Sequence, residues 1–490
     1  MKHIEVRRGS YVDSVTLMQV SKRVALLDGV TSALVAMATE LNLELADGMG
    51  FDVPAASPNE MVVAVEVASE DALGRATDEV DAALAEGSRP RSAGFGGAPE
   101  PLTVGAAAAR SAATVALIST PGRYAFGDAI DAVDAGLHTM VFSDNVPVEQ
   151  EVALKEYADR AGVLVMGPDC GTAVIGGVGL GFANVVRPGP VGIVAASGTG
   201  AQHLMSLLDG AGVGISHCLG VGGRDLTSQV GGRSTIRALD LLAEDDATEV
   251  VVLVSKPPAA SVAATVRGHA DRLGKPVHFA LLGPGQPDLT ATARSVVESV
   301  GGVWTAPEHW TGAVPAGRAG GALRGLFAGG TLCDEAMLIA SGSLGRVASN
   351  IPLQDSWSLG GDLSSEGHTM IDFGDDRLTQ GRPHPMIDGS IRTGRLRAEV
   401  EDPSTGVVLL DVVLGHGAAA DPSADLAGPL RQATQAGVPA VVSVVGTRDD
   451  PQGLRAQVAT LSDAGAWVYL SNAAAARAAV DLLAPGGAAK

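Results

Sequence analysis

The chain has 490 residues, enough for three or four domains with a core in each, and a formal net charge of −21. Such an acidic balance excludes a nucleic-acid partner, which needs clustered Lys and Arg, and the 3% aromatic content disfavours a base-stacking surface. Cys170, Cys218 and Cys333 are far apart, with no CxxC, so neither a disulfide framework nor a metal site is expected; no signal-type h-region and no membrane-length apolar run is seen, which points to a cytoplasmic chain with no membrane partner.

Residues 1–86 read as a small α+β domain. "DSVTLMQVSKRVALL" has helical periodicity, "SALVAMAT" and "MVVAVEVA" read as strands, and "EDALGRATDEVDAALAEG" opens on acids and ends on Gly87, both helix signals. Residues 87–112, rich in Gly, Pro and Ala, read as a linker. From residue 113 short apolar strands alternate with helices. "TVALIS", "TMVFS" and "VLVMGP" belong to a section at 113–189; "PVGIVA", "EVVVLVS" and "PVHFALLG" to one at 190–305. Residues 306–325 read as a second linker, and 326–490 repeats the rhythm through "GVVLLDVVLG", "PAVVSVVG" and "AWVYLS". The fold class is therefore α/β, with parallel sheets covered on both faces.

Three strand-to-helix turns are candidate ligand sites, because ligands of such sheets lie at strand carboxyl ends. In "VAASGTGAQ", Ser197, Gly198, Thr199 and Gly200 open a helix whose free N–H groups and partial positive charge suit an anion without any basic residue. Chemistry alone leaves a plain N-cap equally open. "LFAGGTLCDEA" repeats the pattern with Gly329, Gly330 and Thr331, and two such turns in separate sections suggest one shared site. "STPGRYAFGD" lacks GxGxxG and gives only a weak dinucleotide signal.

Other candidates are polar loops. In "GDDRLTQGRPHPMIDGSIR", Arg382 suits bidentate pairing with a carboxylate or phosphate, His384 suits a general base, and Asp388 suits orienting either one; an internally paired surface loop is the alternative. Gly222 and Gly223, beside Arg224, suit backbone approach to a ligand, with a plain turn as the rival. His368, Asp372, Asp375 and Asp376 fit no standard metal loop and read as structural; Cys170 reads as a small buried residue, and His269 as a surface histidine.

"AGVLVMGPDCGTAV", "GPVGIVAASGTGAQ", "GVGISHCLGVGGRDL" and "DDATEVVVLV" resemble, in this order, the α subunit of succinyl-CoA synthetases over about residues 113–285. That resemblance implies a Rossmann-like CoA-binding-type domain followed by a flavodoxin-like ligase domain. It also implies phosphate binding by Ser197, Gly198 and Thr199. "AGGTLCDEA" looks like the matching helix that the β subunit supplies, so 326–490 would be a second flavodoxin-like domain. Over nearly its whole length the chain resembles the FdrA family, through "GSYVDSVTLMQVSKRV", "GLFAGGTLCDEA", "GDDRLTQGRPHPMID" and "LLDVVLGHGAAADP". This resemblance implies one subunit of an oxamate carbamoyltransferase, working with two other protein subunits in allantoin breakdown, with carbamoyl phosphate as substrate. An acyl-CoA synthetase-like enzyme binding CoA and an acyl phosphate is the alternative, and a non-catalytic scaffold a third reading. The phosphohistidine loop expected after "PVHFALLG" has no histidine, His416 lies in no matching loop, and neither an ATP-grasp region nor a P-loop is found.

Overall fold

Buried β-branched runs set the strands of the chain, and glycines or capped polar residues set their ends. The computed structural model describes residues 1–8, 12, 14–57, 60–87, 100–312, 321–379 and 383–483. Residues 1–100 and 101–490 are two separate units.

In the first unit the elements run β1 (Lys2–Arg7), α1 (Ser14–Ala25), β2 (Val30–Met37), α2 (Glu40–Gly48), β3 (Met61–Val67) and α3 (Glu70–Gly87). The strands form an antiparallel sheet in the order β1-β3-β2. Leu17, Val20 and Val24 of α1 and Ala72, Ala76 and Val80 of α3 recur every three or four residues, and so bring one face of each helix into a core with Val63 and Val65.

The second unit begins with α4 (Val104–Ala108), β4 (Val115–Ile118), α5 (Gly122–Asp134), β5 (His138–Val141), α6 (Val148–Ala161) and β6 (Val165–Met166), whose strands make a parallel sheet. It continues with β7 (Thr172–Ile175), β8 (Val178–Gly181), β9 (Pro188–Ala196), α7 (Gly198–Gly210), β10 (Ile215–Gly220), α8 (Arg233–Glu244), β11 (Val250–Ser255), α9 (Ala260–Ala270), β12 (Val277–Leu281) and α10 (Leu289–Ser299). These strands form a six-stranded sheet, β12-β11-β9-β10-β7-β8. Last come β13 (His309–Trp310), β14 (Ala322–Phe327), α11 (Gly330–Leu344), β15 (Val347–Ser349), β16 (His368–Asp372), α12 (Asp376–Thr379), α13 (Ser390–Glu401), β17 (Thr405–Val413), α14 (Pro422–Gln435), β18 (Ala440–Val445), α15 (Leu454–Asp463), β19 (Trp467–Tyr469) and α16 (Asn472–Asp481), giving a seven-stranded sheet, β13-β19-β18-β17-β14-β16-β15.

The α/β class stands, and four details differ from expectation. The sheets are mixed: β7 runs antiparallel to β10 and β8, and β13 antiparallel to β19. The change of sheet comes after Met166 rather than at 189, since β7 and β8 already belong to the six-stranded sheet. The 87–112 stretch includes α4, capped by the Thr103 hydroxyl, while residues 88–99 lie outside the described ones. The expected linker at 306–325 contains β13 and the start of β14, with 313–320 outside the described residues. Arg324 interrupts the apolar run of β14, yet it is buried and its charge is met by Glu399 at 2.9 Å and Asp402 at 3.3 Å.

The two large sheets are tied by buried polar bonds. Asn184 donates to Asp450 Oδ2 at 2.8 Å and to the Leu414 carbonyl at 3.0 Å, and Ala183 bridges to His416. On α7, buried His203 accepts the Asn472 N–H through Nε2 at 3.2 Å, and burial pushes the imidazole down to about 4. In the unfolded chain it titrates near 6.5, so unfolding takes up a proton in the window between these values. The stabilising contribution is complete above the unfolded value and is lost as pH falls through the folded one. Melting temperature should therefore drop more between about pH 7 and about pH 5 in the wild type than in His203→Gln. Equal drops would refute this account.

Candidate functional site

The strand β9 is buried and ends at Ala196; Ser197 then stands in extended backbone, and its Oγ accepts the Gly200 N–H at 3.0 Å. Ser197 is thus an N-cap of α7. The same hydroxyl also lies 2.5 Å from Thr331 Oγ1, in the first turn of α11. The α11 turn is held from below by Asp411 of β17, whose two oxygens accept the Ala328 and Gly329 N–H groups at 2.7 and 2.9 Å. Arg392 Nη1 donates to Asp411 Oδ1 at 2.6 Å and neutralises it.

Glycine is required where the two turns touch. A Cβ on Gly329 would sit 2.7 Å from Thr199 Oγ1, and one on Gly200 would sit 2.9 Å from Thr331 Cγ2. The structure therefore brings Ser197, Gly198, Thr199, Gly200, Gly329, Gly330 and Thr331 together. Two helix N-termini aimed at one place repel each other, and an anion between them reverses both interactions.

Several charged groups surround this point. Gly330 faces Lys256 and Asp372: a Cβ there would lie 2.6 Å from Lys256 Nζ and 2.6 Å from Asp372 Oδ2. Burial pushes Asp372 up to about 7 and Asp334 of α11 up to about 6, while Lys256 lowers both. Gly222, at φ +90°, packs on the 167–169 turn; a Cβ there would sit 2.4 Å from the Pro168 carbonyl oxygen. Gly223 lies against the exposed Asp169. Behind these glycines Arg224 pairs with Glu151 at 2.9 Å. Lys256, Asp169, Asp334 and Asp411 were missed in the sequence. Lys256 had one legible signal: it stands directly after a buried strand, at the carboxyl end where ligands of such sheets lie.

The expected catalytic triplet is not assembled among the described residues. Arg382 lies outside them. His384 sits with its ring 5.6 Å from Phe182, and its Nδ1 accepts the Met386 N–H at 3.2 Å. Burial pushes it down to about 4, so it is neutral at pH 7. Its Nε2 and the Ala328 carbonyl both crowd Gly374, which places the ring at the edge of the α11 turn. Asp388 does not orient His384: it is exposed, and its carboxylate accepts the Ser390 N–H at 2.9 Å as α13 begins. The acids of residues 368–376 are dispersed, with His368 accepting Leu323 N–H and Asp375 paired with Arg377, and the described residues hold no metal-binding group. His269 is bonded to Asp240 at 2.6 Å. Buried Cys170 is pushed up to about 12, which leaves it an inert thiol.

Two family models match the chain: "AllF, heavy metal-associated domain" over residues 1–101 and "CoA-ligase" over residues 326–482. Residues 1–101 contain no cysteine, so the thiolate donors of a soft-metal site are missing there. The uncharacterized protein YahF of Escherichia coli K12 is 36% identical over 491 residues, covering 94% of this chain and 95% of that protein. The ADP-forming succinate–CoA ligase α subunit of Methanothermobacter thermautotrophicus is 26% identical over 39% of this chain, a match spanning 64% of that subunit. Among solved structures, the dinucleotide-forming acetyl-coenzyme A synthetase 1 of Ca. Korarchaeum cryptofilum, in complex with phosphate and ADP, is similar at 16% identity and a TM-score of 0.32, over 80% of this chain and 86% of that one.

Proposed function

Because the chain belongs to the family of Escherichia coli YahF and carries a CoA-ligase domain, we propose that it is an acyl-CoA ligase-like protein that holds the phosphoryl end of an acyl phosphate between α7 and α11. The observation that carries this is the Ser197–Thr331 contact of 2.5 Å, which joins two glycine-opened helix N-termini at one point. A nucleophile attacks the acyl carbon, the C–O bond to phosphate breaks, and phosphate leaves with the electron pair. The helix N-termini stabilise the charge that grows on it. With CoA as the nucleophile the product is an acyl-CoA.

A second reading is favoured by one feature. The segment 282–288 after β12 contains no histidine to carry a phosphoryl group, which favours an acyl phosphate that arrives ready-made. Carbamoyl phosphate is such a substrate, and the FdrA-like subunit of an oxamate carbamoyltransferase, completed by two other protein subunits, is the form this reading takes.

Calorimetry on the full chain with acetyl phosphate, carbamoyl phosphate and CoA tests both. Thr199→Val should weaken the acyl phosphate roughly five- to tenfold, the loss of about one hydrogen bond. Gly329→Val should abolish its binding by driving the two turns apart. CoA binding alongside acetyl phosphate supports the ligase reading; carbamoyl phosphate binding without CoA supports the transferase. Absence of binding by both phosphates would overturn the two together and leave a scaffold.

A further inference from the structure

The geometry points to Lys256 as the cation that completes the α7–α11 cradle, with a phosphoryl dianion as its ligand. This rests on the acyl phosphate reading above and adds the residue that sets the charge of the group accepted.

Its position follows from strand register. β11 runs parallel to β9 with Ser255 opposite Ala196, so the next residues, Lys256 and Ser197, leave the sheet side by side. From there the lysine reaches across to the other turn, where its ammonium and the Asp372 carboxylate both face the Cα of Gly330, the first residue of α11. Lys256 thus starts beside the α7 turn and ends at the α11 turn.

Its charge is available. Burial pulls the ammonium down, but Asp334, Asp372 and Asp169 outweigh that and hold it above the ordinary lysine value. None of the three closes an ion pair with it among the described residues. A fixed lysine–carboxylate bridge, such as Lys155 makes with Asp225 at 2.7 Å, is a different arrangement, in which the cation is already committed.

The charge is also needed. Two helix N-termini supply together roughly one positive charge, and a phosphoryl dianion brings about two negative ones. The protein's net charge of −21 and the nearby Asp334, Asp372 and Asp169 all repel an anion, so a local cation is needed to offset them.

The experiment is phosphate titration of the full chain by calorimetry, with inorganic phosphate as the probe. Lys256→Met should bind phosphate roughly tenfold to a hundredfold more weakly than the wild type, and Lys256→Arg should retain most of the affinity. Thr199→Val serves as the cradle control. Wild-type affinity in Lys256→Met, with weakened binding in Thr199→Val, overturns the assignment of Lys256 and leaves the cradle standing. A wild type that does not bind phosphate at millimolar concentration brings down the acyl phosphate reading, and this inference with it. If Lys256→Met melts without cooperativity, Lys256→Gln takes its place under the same expectation.

Discussion

Replacing Lys155 by Met lowers the unfolding free energy of the 101–490 unit by about 3–5 kcal/mol, because the buried Asp225 loses its cation and the buried Glu151 loses one of two. Lys155 is 2% exposed, and Glu151 and Asp225 are fully buried. The ammonium donates to Glu151 at 2.8 Å, to Asp225 at 2.7 Å and to the Val221 carbonyl at 2.9 Å. Arg224 still meets one oxygen of Glu151, but Asp225 keeps only N–H and hydroxyl donors from Ser234 and Thr235. The triple variant with Glu151→Gln and Asp225→Asn should lose less than Lys155→Met alone, since no buried charge is then orphaned. All four tryptophans, Trp304, Trp310, Trp357 and Trp467, lie in the second unit, so urea unfolding followed by tryptophan fluorescence reports this unit selectively. A loss below about 1 kcal/mol would mean that water reaches the cluster, as it does for exposed pairs.

Asp411→Ala is expected to cost a similar amount, about 3–5 kcal/mol, and to remove anion binding as well. Asp411 is fully buried and is the acceptor for two N–H groups of the α11 turn and for Arg392, itself 4% exposed. Its loss orphans a guanidinium and releases the turn that sets Gly329 against Thr199. Asp411→Asn keeps one carbonyl acceptor and should fall between the two in both urea unfolding and phosphate titration. If Asp411→Ala lost stability but bound phosphate as the wild type does, the turn would be held by something else.

The helix-opening turns were legible because their signals are local. "SGTG" after a buried strand and "AGGT" before an apolar helix each announce a helix N-terminus, and Ser197 caps the first. Their meeting was not legible, since no local pattern says that residue 197 touches residue 331. Lys256 and Asp411 escaped for a related reason: each acts on a turn far away in the chain, and their neighbours read simply as strand. Strand β14 was hidden by Arg324, whose partners Glu399 and Asp402 lie on or just after α13. Strands β7 and β8 were hidden by shortness, four residues each around Gly176 and Gly177. In the 374–392 loop, residue types suggested a triad, but Asp388 serves the backbone of α13 and His384 serves its own loop.

Ser197 and Thr331 are 134 positions apart in one polypeptide, and this makes the cradle unimolecular. Dilution cannot separate its halves, because each sees the other at an effective concentration set by the intervening chain rather than by the amount of protein in solution. Anion affinity should therefore be independent of protein concentration. A nick between α10 and β14 that let the halves drift apart would turn a fixed site into an association equilibrium.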